Sequence, residues 1–239
     1  MSAVVTDFHS HILPGIDDGS PDVKTSLEML HSAREQGVAL QVLTPHYYPW
    51  KESIESFLSR RKASWETLQS ALTPELPRLR IGAEVAFFNH MHRSDLTALC
   101  TDGSRVLLIE LPFESWDSWV VDEIASLSLD RGYQVILAHV ERYMGYKNNP
   151  QTLETLSELP IYLQVNAEAF RRFTDRRRVL ALARSGKPLL LGSDAHNLSD
   201  RAPNLGVGRR LIEKHLGSQY LLGMDAAASA LLLGENAAR

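Results

Sequence analysis

Short apolar runs alternate with longer amphipathic stretches along the 239 residues, and this alternation is the main structural signal in the chain. Residues 3–9, starting at Ala3, read as a strand. Asp22 to Gln36 reads as a helix with Ser20 or Asp22 as cap and Gly37 as stop. The pattern then predicts a strand over Leu40 to Thr44 and a long helix from Ser53 to Leu72, ended by Pro74. It continues with a strand over Leu79 to Val85, a short helix at best over Ser94 to Cys100, a strand over Val106 to Leu111 and a helix from Ser118 to Arg131. A strand over Gln134 to Ala138 precedes a helix from Pro150 to Leu159. A strand over Ile161 to Val165 precedes a helix from Asp175 to Ser185, stopped by Gly186. The last expected elements are a strand over Pro188 to Leu191 and helices over Leu205 to Leu216 and Asp225 to Leu233, with Gly234 after the second.

These elements make seven strand–helix units, with little room for hairpins. Such alternation implies parallel strands joined by crossover helices. An open sheet collects its chemistry at one switch point, whereas a barrel gathers every strand end at one face. Polar, chemically capable residues follow nearly every predicted strand here, so the expected fold is α/β, a closed barrel of seven strands. No repeat, low-complexity segment or linker divides the chain. Residues 1–239 are expected to form one domain.

Composition narrows the class without naming a function. At this length folding buries roughly 70–75% of the extended-chain surface, enough for a full core without staples. No apolar run approaches the ~20 residues that span a bilayer, and no signal peptide is evident at the N-terminus. Cys100 is the single cysteine, so no internal disulfide can form, which suits a cytoplasmic protein. The net charge of −4 argues against a general nucleic-acid binder. Bound divalent cations would reverse the local field and let an acidic chain hold an anionic substrate.

The chemistry lies at the strand ends. His9 and His11, two apart on an extended segment, face the same side as a chelating pair. His46, Glu84, Glu110, His139 and the pair Asp194 and His196 each end or follow a later apolar run. With Asp18 they form a nine-residue candidate cage. Imidazoles and carboxylates without thiolates suit Mn, Fe or Zn, and make a purely structural zinc site a poor fit. Nine ligands are too many for one ion and suffice for two or three. Two metals ~3.5–4 Å apart can hold a hydroxide and clamp a phosphoryl oxygen, giving hydrolysis without a covalent intermediate. Tyr47, Tyr48 and Trp50 follow His46 directly and are candidates to line the pocket and stack on an aryl group.

Read in order, the motifs resemble those of a known family. Asp7-x-His9-x-His11 is followed by Leu13-Pro14-Gly15-x-Asp17-Asp18-Gly19, Thr44-Pro45-His46, Gly82-Ala83-Glu84 and Glu110-Leu111-Pro112. Then come Ala138-His139-Val140-Glu141-Arg142-Tyr143 and Gly192-Ser193-Asp194-Ala195-His196. From about residue 4 to residue 215 this resembles the PHP (polymerase and histidinol phosphatase) superfamily. Within it, the chain is similar to the bacterial manganese-dependent protein tyrosine phosphatases of the CpsB/YwqE type. The resemblance implies a distorted seven-stranded (β/α)7 PHP barrel with three metals. It implies that His9, His11, Glu84 and Asp194 hold the first, and that Glu84, Glu110 and His139 hold the second. Asp18, His46 and His196 would hold the third. It also implies that Arg142 and Arg201 bind the substrate phosphate, which fits the guanidinium fork. The implied partner is a phosphotyrosine protein, an autophosphorylated bacterial tyrosine kinase controlling capsule or exopolysaccharide assembly. Rival activities are a small-molecule phosphatase such as histidinol phosphatase, a nuclease, and a binding module with an inactive site. The oligomeric state is left open.

Other features have plainer readings. Asp17 is expected to make the turn or to support a ligand. His90 and His92 form a second His-x-His in a loop without carboxylate partners in family-like positions, and read as solvated or rim residues. His31 and His215 read as structural. Arg171, Arg172, Arg176, Arg177 and Arg178 make a basic cluster, either a solvated helix start or, with Phe170 and Phe173, a docking patch for acidic peptide. Cys100 to Arg105 is Cys-x4-Arg, one residue short of the loop a cysteine-based tyrosine phosphatase needs.

Overall fold

Parallel pairing joins every strand in the computed structural model, which describes residues 4–184, 186 and 189–233. The expectations at Ala3, Ser185, Pro188 and Gly234 lie outside the described residues. One sheet has the order β1 (Thr6–Asp7), β2 (Leu40–Leu43), β4 (Arg78–Ile81). The other runs β3 (His46–Tyr47), β5 (Glu84–Ala86), β6 (Val106–Glu110), β7 (Gln134–Leu137), β8 (Tyr162–Asn166), β9 (Leu189–Gly192). The fold is therefore α/β with parallel sheets.

The expected single strand over Leu79 to Val85 is two strands, and β3 was not expected at all. Both departures have one cause. Pro45 lacks an N–H for the ladder. Beside it the chain bends at Gly82, where an added Cβ would lie 3.1 Å from the Thr101 hydroxyl. The bends stay in register through Gly82 N–H to Leu43 O (2.9 Å) and Glu84 N–H to Pro45 O (3.0 Å). They turn His46 and Glu84 to the same place. The two sheets also meet at their other ends: Phe8 N–H donates to Leu191 O at 3.1 Å, and His11 N–H to Ala195 O at 2.9 Å.

The helices follow their local signals. Helix α1 (Val23–Glu35) starts where the Asp22 carboxylate accepts from Thr25 N–H, and its Met29, Leu30 and Ala33 are buried at helical spacing. Helix α2 (Ile54–Gln69) is capped by Ser53. Helix α3 (Ser118–Ala125) continues as a wider π-helical stretch over Ser126–Asp130, so the expected single α-helix is only half regular. The short helix expected over Ser94 to Cys100 is replaced by 3-10 turns at Met91–Arg93 and Thr97–Leu99. Helices α4 (Asn149–Glu158), α5 (Phe173–Arg184), α6 (Leu205–Leu216) and α7 (Ser218–Leu233) complete the chain.

Strand alternation sorts the core into two clusters. Leu107, Ile109, Val135, Leu137, Leu163 and Val165 pack in the cluster that takes in the surrounding helices. Phe8, Val42, Leu108, Ile136 and Leu190 belong to a second cluster, which Ala228, Leu231 and Leu232 of α7 join. Burying each such leucine contributes about 1.5–3 kcal/mol. The imidazole and carboxylate candidates lie outside both apolar clusters.

Candidate metal centre

All nine residues of the expected cage come together around Glu84: Glu110, His139, Asp194 and His196 at or past the C-terminal ends of β6, β7 and β9, His9 and His11 just past β1, His46 and Glu84 at the first positions of β3 and β5, and Asp18 on the turn before α1. Glu84 Oε2 lies 3.2 Å from His9 Nε2, 3.3 Å from His11 Nε2 and 2.9 Å from His46 Nδ1. Its other oxygen lies 2.9 Å from His139 Nε2, which is also 3.4 Å from Glu110 Oε1. Asp194 Oδ1 is 3.6 Å from His9 Nε2 and 3.5 Å from His11 Nε2. Asp18 Oδ1 is 3.5 Å from both His46 Nε2 and His196 Nε2. Three sets have donor atoms close enough together to share an ion: His11, Asp18, His46 and His196; His9, His11 and Glu84; and His46, Glu84 and Glu110.

The backbone bends to make this possible. His139 and Asp194 leave their strands at φ +31° and +52°, in the left-handed region that side chains other than glycine rarely adopt. Such positions cost on the order of 1–3 kcal/mol and persist where the surroundings impose them. Here they turn both side chains back over the strand ends.

Burial and mutual charge set the protonation of the cluster. Burial alone would lower the His11 pKa, but hydrogen bonds to the Asp17 and Glu84 carboxylates raise it to about 10. His139 is raised to about 9, with Glu110 and Glu84 overcoming its burial. His196 is lowered to about 4 by burial and by the positive His11 beside it. Burial would raise Glu84 and Asp194, yet the surrounding imidazoles, joined by Arg142 at Asp194, hold both below the usual carboxylate range. The carboxylates thus draw protons onto His11 and His139, a role a divalent cation can take over, since metal binding releases protons from its ligands. Glu84 Oε2, His46 Nδ1 and His196 Nε2 are buried with no aligned hydrogen-bond partner. Buried polar atoms rarely go unsatisfied. These three, in an oxygen-and-imidazole donor set, fit divalent ions.

A supporting layer was only partly legible from the sequence. Asp17 accepts from the His11 ring at 2.8 Å and from His46 N–H and Gly19 N–H at 3.0 Å, so it both makes the turn and aims His11. Asp7 accepts from Ser193 N–H (2.9 Å) and His9 N–H (3.2 Å), joining the stretches after β1 and β9. On β8, Gln164 contacts the His9 ring and Asn166 donates to Asp194 Oδ2 at 2.9 Å. Their signal was present: two polar residues at period two inside the apolar run Tyr162-Leu163-Gln164-Val165-Asn166 share one face.

A cavity of about 460 Å³ opens over the cage, lined by Tyr48, Trp50, Phe87, Phe113, Arg142 and Arg201 beside the cage residues. Arg142 pairs with Asp194 Oδ2, and Arg201 Nη2 lies 2.9 Å from Asp194 Oδ1. Tyr48 stacks on His46 (ring centroids 5.1 Å apart, 22° between planes), and Phe113 stacks on His139 at 5.7 Å. Tyr47 does not reach this cavity. It is buried against Phe57, because strand alternation sends it to the face opposite His46. Sequence reasoning missed Phe113, which follows Pro112 and carries no motif of its own.

The remaining candidates lie apart from the cage. His90 and His92 do have a carboxylate partner, Glu123 of α3. It accepts from their N–H groups at 3.0 and 3.2 Å and from His92 Nδ1 at 2.7 Å. A contact across some thirty residues was invisible in the loop itself. Cys100 is buried in the core, with burial pushing its thiol up to about 12. Arg105 donates to the Gly132 and Arg131 carbonyls instead of forming a phosphate loop with it. In the arginine cluster, Arg171 pairs with Glu168, Arg178 with Asp175, and Arg176 lies over exposed Phe173, while Phe170 is buried. His31 and His215 are exposed on their helices.

Comparison with known proteins points one way. The family model described as capsular polysaccharide synthesis, CpsB/CapC, matches residues 5–232. The tyrosine-protein phosphatase YwqE of Bacillus subtilis is 28% identical over 230 residues, covering 92% of this chain and 89% of its own. The tyrosine-protein phosphatase CpsB of Streptococcus pneumoniae is 25% identical over 233 residues, covering 89% and 91%. A crystal structure from work on B. subtilis YwqE and S. pneumoniae CpsB, described as unique metal-dependent tyrosine phosphatases, shares the fold. Its TM-score is 0.80 at 23% identity, over 96% of this chain and 94% of that one. Among the described residues, no helix is long and apolar enough to cross a membrane.

Proposed function

The chain belongs to the capsular polysaccharide synthesis CpsB/CapC family, and from that premise we propose that it is a metal-dependent protein tyrosine phosphatase. The observation that carries the reading is the gathering of nine imidazole and carboxylate side chains, Glu84 at their centre, under a cavity walled by two arginines and several aromatic rings. In this reading His9, His11, Glu84 and Asp194 hold one ion, Glu84, Glu110 and His139 a second, and Asp18, His46 and His196 a third. Manganese is the ion of choice, with iron or zinc as substitutes. Bound divalent ions would supply an activated water and neutralise phosphoryl oxygens.

The chain's own groups do the rest. Arg142 and Arg201, both at the cavity wall, receive the phosphoryl group in their donor forks. Tyr48, Trp50 and Phe113 flank the aryl ring of the substrate. A leaving tyrosinate, with a solution pKa of ~10, needs less help from an acid than an alkyl alkoxide. A cysteine-based covalent route does not fit, since the one thiol, Cys100, is buried and protonated. We read the two sheets as one distorted seven-stranded barrel, with β2 and β3, and β4 and β5, each counting as a single broken strand. The bonds between the stretches after β1 and β9 support closure. The expected partner is an autophosphorylated tyrosine kinase of capsule or exopolysaccharide assembly, met in the cytoplasm.

The test joins metal analysis to assays on a phosphotyrosine peptide and on histidinol phosphate. Metal-dependent turnover with kcat/KM higher on the peptide supports the proposal. A clear preference for histidinol phosphate moves the protein to the small-molecule phosphatases.

A further inference from the structure

We propose that Gln164 is the positioning residue of the cage. It fixes the tautomer of His9 and ties together ligands of different ions, and so sets the affinity for metal. This rests on the metal-phosphatase reading above. Gln164 is completely buried on β8, where an amide is costly unless each of its groups is hydrogen-bonded. Its oxygen accepts from the His139 backbone N–H at 2.8 Å and lies 3.1 Å from His9 Nδ1. Its nitrogen donates to Asn166 Oδ1 at 2.9 Å, and Asn166 Nδ2 donates in turn to Asp194 Oδ2 at 2.9 Å. One side chain thus connects His9, His139 and Asp194.

The amide can face only one way. A backbone N–H only donates, so the atom facing His139 must be the oxygen. The same oxygen faces His9, so Nδ1 of His9 must carry the hydrogen. In the neutral ring that a metal requires, this leaves Nε2 with its lone pair, on the side of Glu84 and Asp194. Partners of this kind orient a metal-binding imidazole and raise its basicity. The bond to His139 N–H also braces that residue's left-handed backbone. The neighbouring strand makes room for the contact. At Gly192 an added Cβ would lie 2.6 Å from Gln164 Nε2 and 2.7 Å from His9 Cβ, so any larger residue would force the pair apart.

The experiment titrates Mn into the stripped full-length protein by calorimetry, with thermal melts of the metal-free forms as a folding check. Gln164→Met keeps the length and removes the acceptor. Its tightest Mn binding is expected to weaken about 10- to 100-fold, the usual loss on removing such a partner. Gln164→Glu keeps the acceptor for His9 and His139 but loses the donor to Asn166, and is expected to bind Mn more tightly than Gln164→Met. A folded Gln164→Met that binds Mn like the parent overturns the proposal, as does a Gln164→Glu as weak as Gln164→Met. Should Gln164→Met not fold, nitrogen NMR of the Zn-loaded parent decides. A hydrogen on His9 Nδ1 with Nε2 on the metal supports the proposal, and the reverse arrangement overturns it. A parent that binds no metal fails the phosphatase reading itself, which is a different result from a tight parent with an equally tight Gln164→Met.

Discussion

Arg201 allows the binding of phosphate to be separated from the binding of metal. Its Nη2 lies 2.9 Å from Asp194 Oδ1, and about a third of its side chain (35%) is exposed at the cavity wall. A unit charge pair ~4 Å apart at an effective dielectric of ~20 is worth ~4 kcal/mol, an upper value for a partly exposed group. Arg142 remains on the same wall and shares the charge. Arg201→Ala is therefore expected to lose ~1.4–4 kcal/mol of transition-state stabilisation, or about 10- to 1000-fold in kcat/KM on a phosphotyrosine peptide. It should keep its full metal content, because a guanidinium offers no lone pair and Asp194 is still held by Arg142 and Asn166. Arg201→Lys should recover only part of the loss, since a point charge cannot reproduce the fork. His139→Ala should differ in kind, losing metal together with rate. Kinetics and metal analysis on the same samples make the comparison. An Arg201→Ala enzyme that is fully active, or that has lost its metal, refutes the reasoning.

Stripping the protein with a chelator should abolish turnover and Mn should restore it best; full activity after confirmed metal removal counts against the cage. Cys100→Ser should leave turnover per folded molecule within about threefold, less than ~0.7 kcal/mol of barrier, and a trapped phosphocysteine would show the opposite. Adjacent tyrosines should separate stability from binding. Tyr47→Ala, emptying a packed site against Phe57, should destabilise the fold by ~3–5 kcal/mol while the folded fraction keeps its KM. Tyr48→Ala should leave the melting temperature nearly unchanged and raise KM for phosphotyrosine about 2- to 10-fold, the scale of one aromatic contact at ~0.5–1.5 kcal/mol. Melts and steady-state kinetics on both variants would show whether these roles are reversed.

The cage was legible because every ligand but Asp18 ends or follows an apolar run, and parallel strands bring such positions to one face. Regular elements with strong caps, such as α1 behind Asp22, were legible for the same local reasons. What escaped depended on contacts between distant segments. The breaks at Pro45 and Gly82 make sense only once the two strands lie side by side, and the Cβ limit at Gly82 is set by Thr101. The side of the strand taken by Tyr47 depends on β3, an element too short for any periodicity to announce. Glu123 under the His90 loop is an ordinary polar residue until the fold brings it to its partners, and the period-two pair Gln164 and Asn166 marks a polar face without saying what it meets. Phe113 joins the cavity because of where the loop after β6 travels.

One titration tests the central claim most directly. Stripped protein receives Mn stepwise, and bound metal and phosphotyrosine hydrolysis are measured on the same samples. Turnover is expected to be absent without metal and to rise as the cage fills, with a break at two or three ions per chain. Steady hydrolysis by the metal-free protein, or a filled cage that leaves phosphotyrosine intact, would contradict the account.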